Sequence, residues 1–477
     1  MSFELFEYKV EDLGKVITGK TPPSKISDAF STQGIPFVTP KDMDGRRLIN
    51  KTERYLSSKG VEAVRNCLLP QNSIAVSCIG SDMGKAVLLP GESITNQQIN
   101  AIVVDSEHFD YKYVYYYLST LQDEFKAIAG GSATPILNKG HFSQFKISLP
   151  VKSVQNKIAL ILDSLDTKIE VNTEINQTLE QMAQALFKSW FVDFEPVKAK
   201  IAMLEAGGSP EEATLAAMTA ISGKDADVLV FFEREHPEQY AELKATAELF
   251  PPAMQDSELG DIPEGWKVSP LEDVTSLIID HRGKTPKKLG GDWSEEGHPA
   301  ISAKNIKNGR LVRHDAIRYV DSNLYAKWMK DTLLAGDILM TSEAPLGELM
   351  YLAKDCDYLL SQRLYGIRAN KEIISGCYLY FWLQTSAAKA DIDGRATGST
   401  VVGIRQSELK KVNVMAPQKG VVESFSNLTA LYLAKIESNE KQNIVLEKLR
   451  DTLLPKLLSG EITLPEVEQA ISEAENV

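Results

Sequence analysis

Two stretches of the chain carry one hydrophobic pattern. From about Gln155 to Phe191, residues Ile158, Ile161, Leu165, Lys168, Asn172, Ile175, Leu179, Met182 and Leu186 fall on alternating three- and four-residue steps. That is the seam spacing of a heptad helix. Adding 267 to each number gives Phe425, Leu428, Tyr432, Lys435, Asn439, Gln442, Leu446, Leu449 and Leu453. The exceptions are copied too, since a lysine (Lys168, Lys435) and an asparagine (Asn172, Asn439) interrupt both seams at equivalent places. A polar seam residue costs stability and fixes register. The pattern predicts two long helices that pair, with Ile158, Leu165, Asn172, Leu179 and Leu186 facing Phe425, Tyr432, Asn439, Leu446 and Leu453. An antiparallel pair with pseudo-two-fold symmetry is the simplest arrangement. At 1.5 Å per residue each helix spans on the order of 55 Å, enough to hold two domains apart.

The segments before the helices are also duplicated. In residues 1–150, short apolar runs (Gly34 to Thr39, Ser73 to Ile79, Ala86 to Leu89, Ala101 to Val104) separated by Gly, Pro and Asn read as strands. Tyr111 to Ile128 reads as one helix whose aromatic stripe is core. The same order returns in residues 266–417: Gly19-Lys20-Thr21-Pro22 as Gly283-Lys284-Thr285-Pro286, Asn96-Gln97-Gln98 as Ser361-Gln362-Arg363, and Gly131-Ser132 as Gly398-Ser399. A period near 265 residues is too long for a solenoid. It describes a duplicated domain followed by a helix: 1–150 and 151–196, then 266–417 and 418–462. Residues 197–265 read as an acidic helical insert, with Pro210 and Pro237 at helix starts, and a Pro-rich linker. Residues 463–477 form an acidic tail. The fold class expected is α+β, two similar globular domains joined by a pair of long antiparallel helices.

Composition, 43% hydrophobic and 25% charged, is that of a soluble protein of several domains. No membrane span or signal peptide is visible, which predicts a cytoplasmic protein without a membrane partner. Cys67, Cys78, Cys356 and Cys377 are scattered and read as reduced thiols. The net charge of -13 is unevenly distributed. Residues 1–150 carry 16 basic and 16 acidic side chains and residues 266–417 carry 21 and 18, whereas residues 151–265 carry 9 and 21. The globular repeats are neutral to basic, so total charge does not exclude a nucleic-acid partner.

Gly14 to Thr21 satisfies GxxxxGK[ST], which would make the chain a nucleotide-binding or hydrolysing protein, with Ala101 to Asp105 and Glu107 as the acidic strand. The context argues against it. A phosphate loop follows a buried strand and opens a helix, but Pro22-Pro23 leads into loop-like Ser24 to Ser31, and the second repeat has Ile278 in place of the first glycine. The six histidines show no metal-ligand spacing, and no nucleophile elbow is present. No catalytic or metal-binding residue is expected. Basic residues instead cluster around the duplicated Gly-Lys-Thr-Pro, suited to phosphate contacts, with Asn, Gln, Ser and Arg available for base edges.

The end of the second helix, LRDTLLPKLLSGEI from Leu449 to Ile462, its counterpart LFKSWFVDFEP from Leu186 to Pro196, and the linker DSELGDIPEGW from Asp256 to Trp266 resemble the specificity (S) subunits of type I restriction-modification systems. The resemblance covers almost the whole chain except the insert at about 197–250. It implies two target recognition domains, each reading half of a bipartite double-stranded DNA site, and a helix pair that measures the unread spacer. It also implies that the helices dock two modification (methyltransferase) subunits, joined by restriction-motor subunits. S-adenosylmethionine, ATP and magnesium would belong to those partners, with no cofactor in this chain. The candidate DNA contacts are Lys20, Thr21, Lys25, Thr39, Lys41, Arg46, Arg47, Gln97, Gln98 and Ser132 in the first repeat. In the second they are Arg282, Lys284, Thr285, Lys287, Lys288, Ser302, Lys304, Asn305, Lys307, Arg310, Gln362, Arg363, Ser399 and Thr400. A coiled-coil scaffold that binds only proteins is a third reading.

Overall fold

The computed structural model describes residues 3–129, 136–398 and 401–462. By contacts the chain forms two compact units, Met1–Asn172 with Lys441–Val477, and Thr173–Glu440. The sequence set the long helices apart as segments of their own, whereas both unit boundaries fall inside those helices. The tail after residue 462 lies outside the described residues.

The helices run Lys152–Phe191 and Lys419–Ser459. The first stops where Phe194 takes a left-handed φ of 55°, and Pro196 then opens the short helix Glu195–Glu205. The second stops at Gly460, φ 75°. In the first unit Asn172 donates to Gln442 and Asn443 at 2.8 and 2.9 Å, and Arg450 reaches Asp166 at 2.7 Å. In the second, Asn439 donates to Asn176 at 2.8 Å. Numbers fall on one helix as they rise on the other, so both pairings are antiparallel.

Every seventh residue of the predicted seam is buried or half-buried, but the alternate positions are displaced by one. Leu162, Asn176 and Ala183 are buried, while Ile175 and Met182 are 39% and 48% exposed. Lys168 and Lys435 are exposed as well. The steps run four then three, which places Asn176 and Asn443 on the seam with Asn172 and Asn439. Since 172 and 176 map onto 439 and 443, the bonded pairs 172–443 and 176–439 are equivalent under the duplication.

The first unit has a four-stranded antiparallel sheet in the order Gly14–Thr18, Ile99–Val104, Ser73–Ser77, Ala86–Leu89. A second sheet contains Ile35–Val38 running parallel to Ile94–Thr95, with Val38 opposite Thr95. Phe6–Lys9 pairs with Lys146–Leu149 and closes the domain. The second unit repeats this topology. Thr275–Asp280, Leu364–Ala369, Ile338–Thr341 and Leu349–Tyr351 make the four-stranded sheet. His298–Ile301 runs parallel to Leu359–Leu360, and Lys267–Pro270 pairs with Asn413–Ala416.

Gly14–Thr18 is thus a sheet strand, and turns rather than a helix follow Thr21. No helix opens directly after Thr21 among the described residues, as a phosphate loop requires, which removes the phosphate-loop reading. The predicted helix from Tyr111 to Ile128 is two, Tyr111–Ser119 and Gln122–Ala129. Ser119 and Thr120 donate their hydroxyls back to the carbonyls of Tyr116 and Tyr117 at the break, the competition that weakens a helix. Its aromatic stripe is core, with Tyr113 and Tyr116 buried. In the insert, helices start at Pro210 and Pro237, the former capped by Ser209 and Glu212. No helix among the described residues is long and apolar enough to cross a membrane.

Phe425, fully buried, meets the rings of Phe187, Phe191 and Phe381 at 5.5, 5.2 and 5.7 Å. Replacing such a ring by alanine costs about 3–5 kcal/mol. Phe425→Ala is therefore expected to lower the urea midpoint of the second unit sharply, read by near-ultraviolet circular dichroism of its aromatic cluster.

Candidate nucleic-acid interface

Register places the duplicated motifs on one sheet edge in each unit. Thr18 lies opposite Asn100 and Val38 opposite Thr95, so residues 19–21, 39–41 and 96–98 all leave the strands on the same side. Backbone bonds tie them together: Gly19 donates to Ile99, Lys20 to Thr95 and Asn96 to Val38. The Thr21 hydroxyl donates to Gln97 at 2.7 Å. In the second unit Asp280 lies opposite Tyr365 and Ile301 opposite Leu360, and Ser361 donates to Ile301. There Arg282 to Thr285, Ser302 to Asn305 and Ser361 to Arg363 share an edge.

Each edge carries the same stapled turn. Asp42 accepts from the amide and hydroxyl of Thr39 with one carboxylate oxygen, at 2.8 and 2.7 Å, and from the Glu53 amide with the other. Asn305 accepts from the Ser302 amide and hydroxyl and donates to the carbonyls of Val312 and Arg313. These bonds close 3-10 turns over Pro40–Asp42 and Ala303–Asn305, and each turn presents one exposed lysine, Lys41 or Lys304. The fully buried Asn305 is therefore a staple and is corrected from a DNA contact. Thr39 and Ser302 serve the same turns.

The candidate cations divide by their partners. Lys20, Lys25, Lys41, Lys287, Lys304 and Lys307 are exposed, and none is ion-paired among the described residues. Arg46 is held by Asp44 at 2.9 Å, Arg282 by Asp280 at 2.5 Å and Arg363 by Glu343 at 2.7 Å. Lys284 and Lys288 donate to the carbonyls of Trp328 and Gly283, and burial pushes the Lys284 ammonium below its usual range. Arg310 pairs with Glu440 of the second long helix at 2.9 Å, where burial pushes the Glu440 carboxyl up.

Arg47 is the largest departure. Its side chain is 11% exposed and bonded to Asp163 and Glu170 of the first long helix at 2.6 and 3.0 Å, so it does not face the edge as a free cation. Burial works against the Arg47 charge, but Glu170, Tyr116 and Asp163 outweigh it and hold the guanidinium protonated. Burial likewise pushes the Asp163 carboxyl up, yet hydrogen bonds from Lys112 and Arg47 prevail and hold it below the usual carboxylate range.

Gln97, Gln362 and Arg363 are exposed and Gln98 half-buried at the edges, whereas Ser132, Ser399 and Thr400 lie outside the described residues. Sequence reasoning missed the loops after Ser77 and Thr341, which leave on the same side because Ser77 is opposite Ile99 and Thr341 opposite Leu364. It also missed the duplicated stacking of Arg54 on Phe30 and Arg318 on Trp293, at 4.6 and 5.2 Å. An arginine 264 residues from another, each near an aromatic pair partner, was the available signal. Asp105, Glu107 and His108 approach one another in an exposed turn. Asp105 there accepts from the Glu107 amide and contacts His108 at 2.8 Å, closing the turn after the strand.

The sequence matches the family described as type I restriction modification DNA specificity domain over residues 4–181 and 263–448. It is 36% identical over 329 residues to the type I restriction enzyme HindI specificity subunit of Haemophilus influenzae, covering 67% of this chain and 70% of that one. The MjaIX specificity subunit of Methanocaldococcus jannaschii is 25% identical over 469 residues, covering 96% and 94%. The type I restriction-modification S subunit from M. genitalium shares the fold, with a TM-score of 0.55 at 14% identity over 96% of both chains. Two copies of that domain, each taking in a globular repeat and most of its long helix, make this chain a member of the type I restriction-modification DNA specificity family.

Proposed function

We propose that each unit's loop edge reads one half of a bipartite double-stranded DNA target, and that the helix pair sets the spacer and docks two methyltransferase subunits. The observation that carries this reading is the pair of equivalent edges with different residues. Thr39-Pro40-Lys41-Asp42 and Ser302-Ala303-Lys304-Asn305 build the same turn. Gln97-Gln98 and Gln362-Arg363 then offer different donors and acceptors to base edges. Lysines position the backbone and the variable polar side chains specify. Two different edges read two different words.

The chain's own contribution is binding and orientation. Methyl transfer to an adenine requires the base to leave the stack, and that chemistry, with S-adenosylmethionine, lies in the methyltransferase partner. ATP and magnesium belong to the restriction-motor subunits, which join through the assembled complex. Methyl-adenine mapping of genomes from cells with this chain and its methyltransferase, beside cells lacking only this chain, tests the reading. A bipartite motif that disappears with the chain is expected. Unchanged methylation with an assembled, competent methyltransferase would overturn it.

A further inference from the structure

Within the first unit, seven charged side chains and a tyrosine form one network between the globular domain and the helices. Arg47 grips Glu170 with two nitrogens, at 3.0 and 3.1 Å, and Asp163 with a third contact at 2.6 Å. Lys112 takes the other oxygen of Asp163. The Tyr116 hydroxyl accepts from Arg47 at 3.2 Å and donates to Asp166 at 2.6 Å, and Arg450 of the second helix closes on Asp166 at 2.7 Å. Arg450 also contacts the more exposed Asp451 at 2.8 Å, so three cations meet four carboxylates, and Arg47, Asp163 and Asp166 keep 11%, 17% and 6% of their side-chain surface.

The second unit keeps one arginine–carboxylate bond from domain to helix, Arg310 to Glu440 at 2.9 Å, but fills the other equivalent places differently. Adding 267 turns Asp163 and Asp166 into Ala430 and Leu433, and subtracting it turns Arg450 into Ala183. In the domain, Lys112 and Tyr116 correspond to Cys377 and Phe381. Cys377, Phe381, Leu433 and Ala183 are buried in one apolar cluster. Apolar contact is non-directional, whereas a two-nitrogen arginine–carboxylate grip fixes planes as well as distances.

We infer that Arg47 is a positioning residue that locks the angle of the first recognition domain on its helices, and so holds the first half-site in register with the spacer. The inference rests on the proposed reading of the two edges. A loosened lock lets the first domain adopt several angles, and neighbouring spacer lengths become usable.

The test is methylation of a duplex library, with both half-sites and spacer length varied, by complexes carrying Arg47→Ala, Glu170→Gln or Tyr116→Phe. Tyr116→Phe copies the residue that the second unit already uses, so it guards against loss of folding. Arg47→Ala and Glu170→Gln are each expected to lower methylation at the native spacer about 3- to 10-fold relative to spacers one base pair longer or shorter. Tyr116→Phe should shift the same ratio about twofold, and preference in the second half-site should not change. A phosphate contact would behave differently. Arg47→Ala would then reduce the salt slope by about one and Glu170→Gln would tighten binding, both with spacer preference intact, and that result overturns the inference. Unaltered spacer ratios in all three variants also overturn it. A wild-type complex without any bipartite preference would instead overturn the underlying reading.

Discussion

A heptad inserted into both long helices, after Asn172 and after Glu440, is expected to move the preferred spacer about three base pairs longer and to cut methylation at the native spacer at least tenfold. The positions follow from the fold. The boundary between the compact units falls between Asn172 and Thr173 and between Glu440 and Lys441. An insertion there leaves the Asn172–Asn443 pair inside one unit and the Asn176–Asn439 pair inside the other. Seven residues keep the seam in phase and add about 10 Å of helix, close to three base-pair steps of about 3.4 Å. The measurement is methylation of duplexes with one pair of half-sites and a graded spacer. An unshifted preference in a folded complex would show that the helices do not set the spacer.

This variant was half designable from sequence, and the missing half is instructive. Every seventh seam residue was legible because Ile158, Leu165, Leu179 and their copies are apolar on a strict repeat. The alternate position was misread because Ile175 and Met182 are more hydrophobic than Asn176 and Ala183, yet the latter are buried. An asparagine on the seam is recognised by its partner, and Asn439 is 263 residues away. The sheets were legible as short apolar runs between turns, while their order was not, since parallel pairing of Ile35–Val38 with Ile94–Thr95 is a non-local contact. The duplicated motifs did fall on one edge in each unit. What sequence left open was which cations face outward: Arg46 and Arg47 are adjacent, but one stays at the surface beside Asp44 and the other turns inward to Asp163 and Glu170.

That division of the cations sets the second large effect. Lys20, Lys41, Lys304 and Lys307 are exposed and without an ion pair among the described residues, so each can neutralise a phosphate and release a counterion. At a slope of about -0.9 per phosphate, replacing all four by alanine is expected to flatten the log–log salt dependence of binding by about 3–4 and to weaken binding roughly a thousandfold at 0.1 M salt. Arg46, Arg282 and Arg363 give the contrast. Each already sits against a carboxylate, Asp44, Asp280 or Glu343, so it is less available to neutralise a phosphate and displace the counterions condensed there. The triple arginine-to-alanine variant is accordingly expected to change the slope by less than about one unit, while altering preference among half-site sequences if the arginines leave those carboxylates for base edges. Fluorescence anisotropy of a labelled bipartite duplex, titrated with the methyltransferase complex from low to moderate salt, separates the two variants. Equal slopes for wild type and the lysine variant would place the DNA on a different face from the one where the strands end.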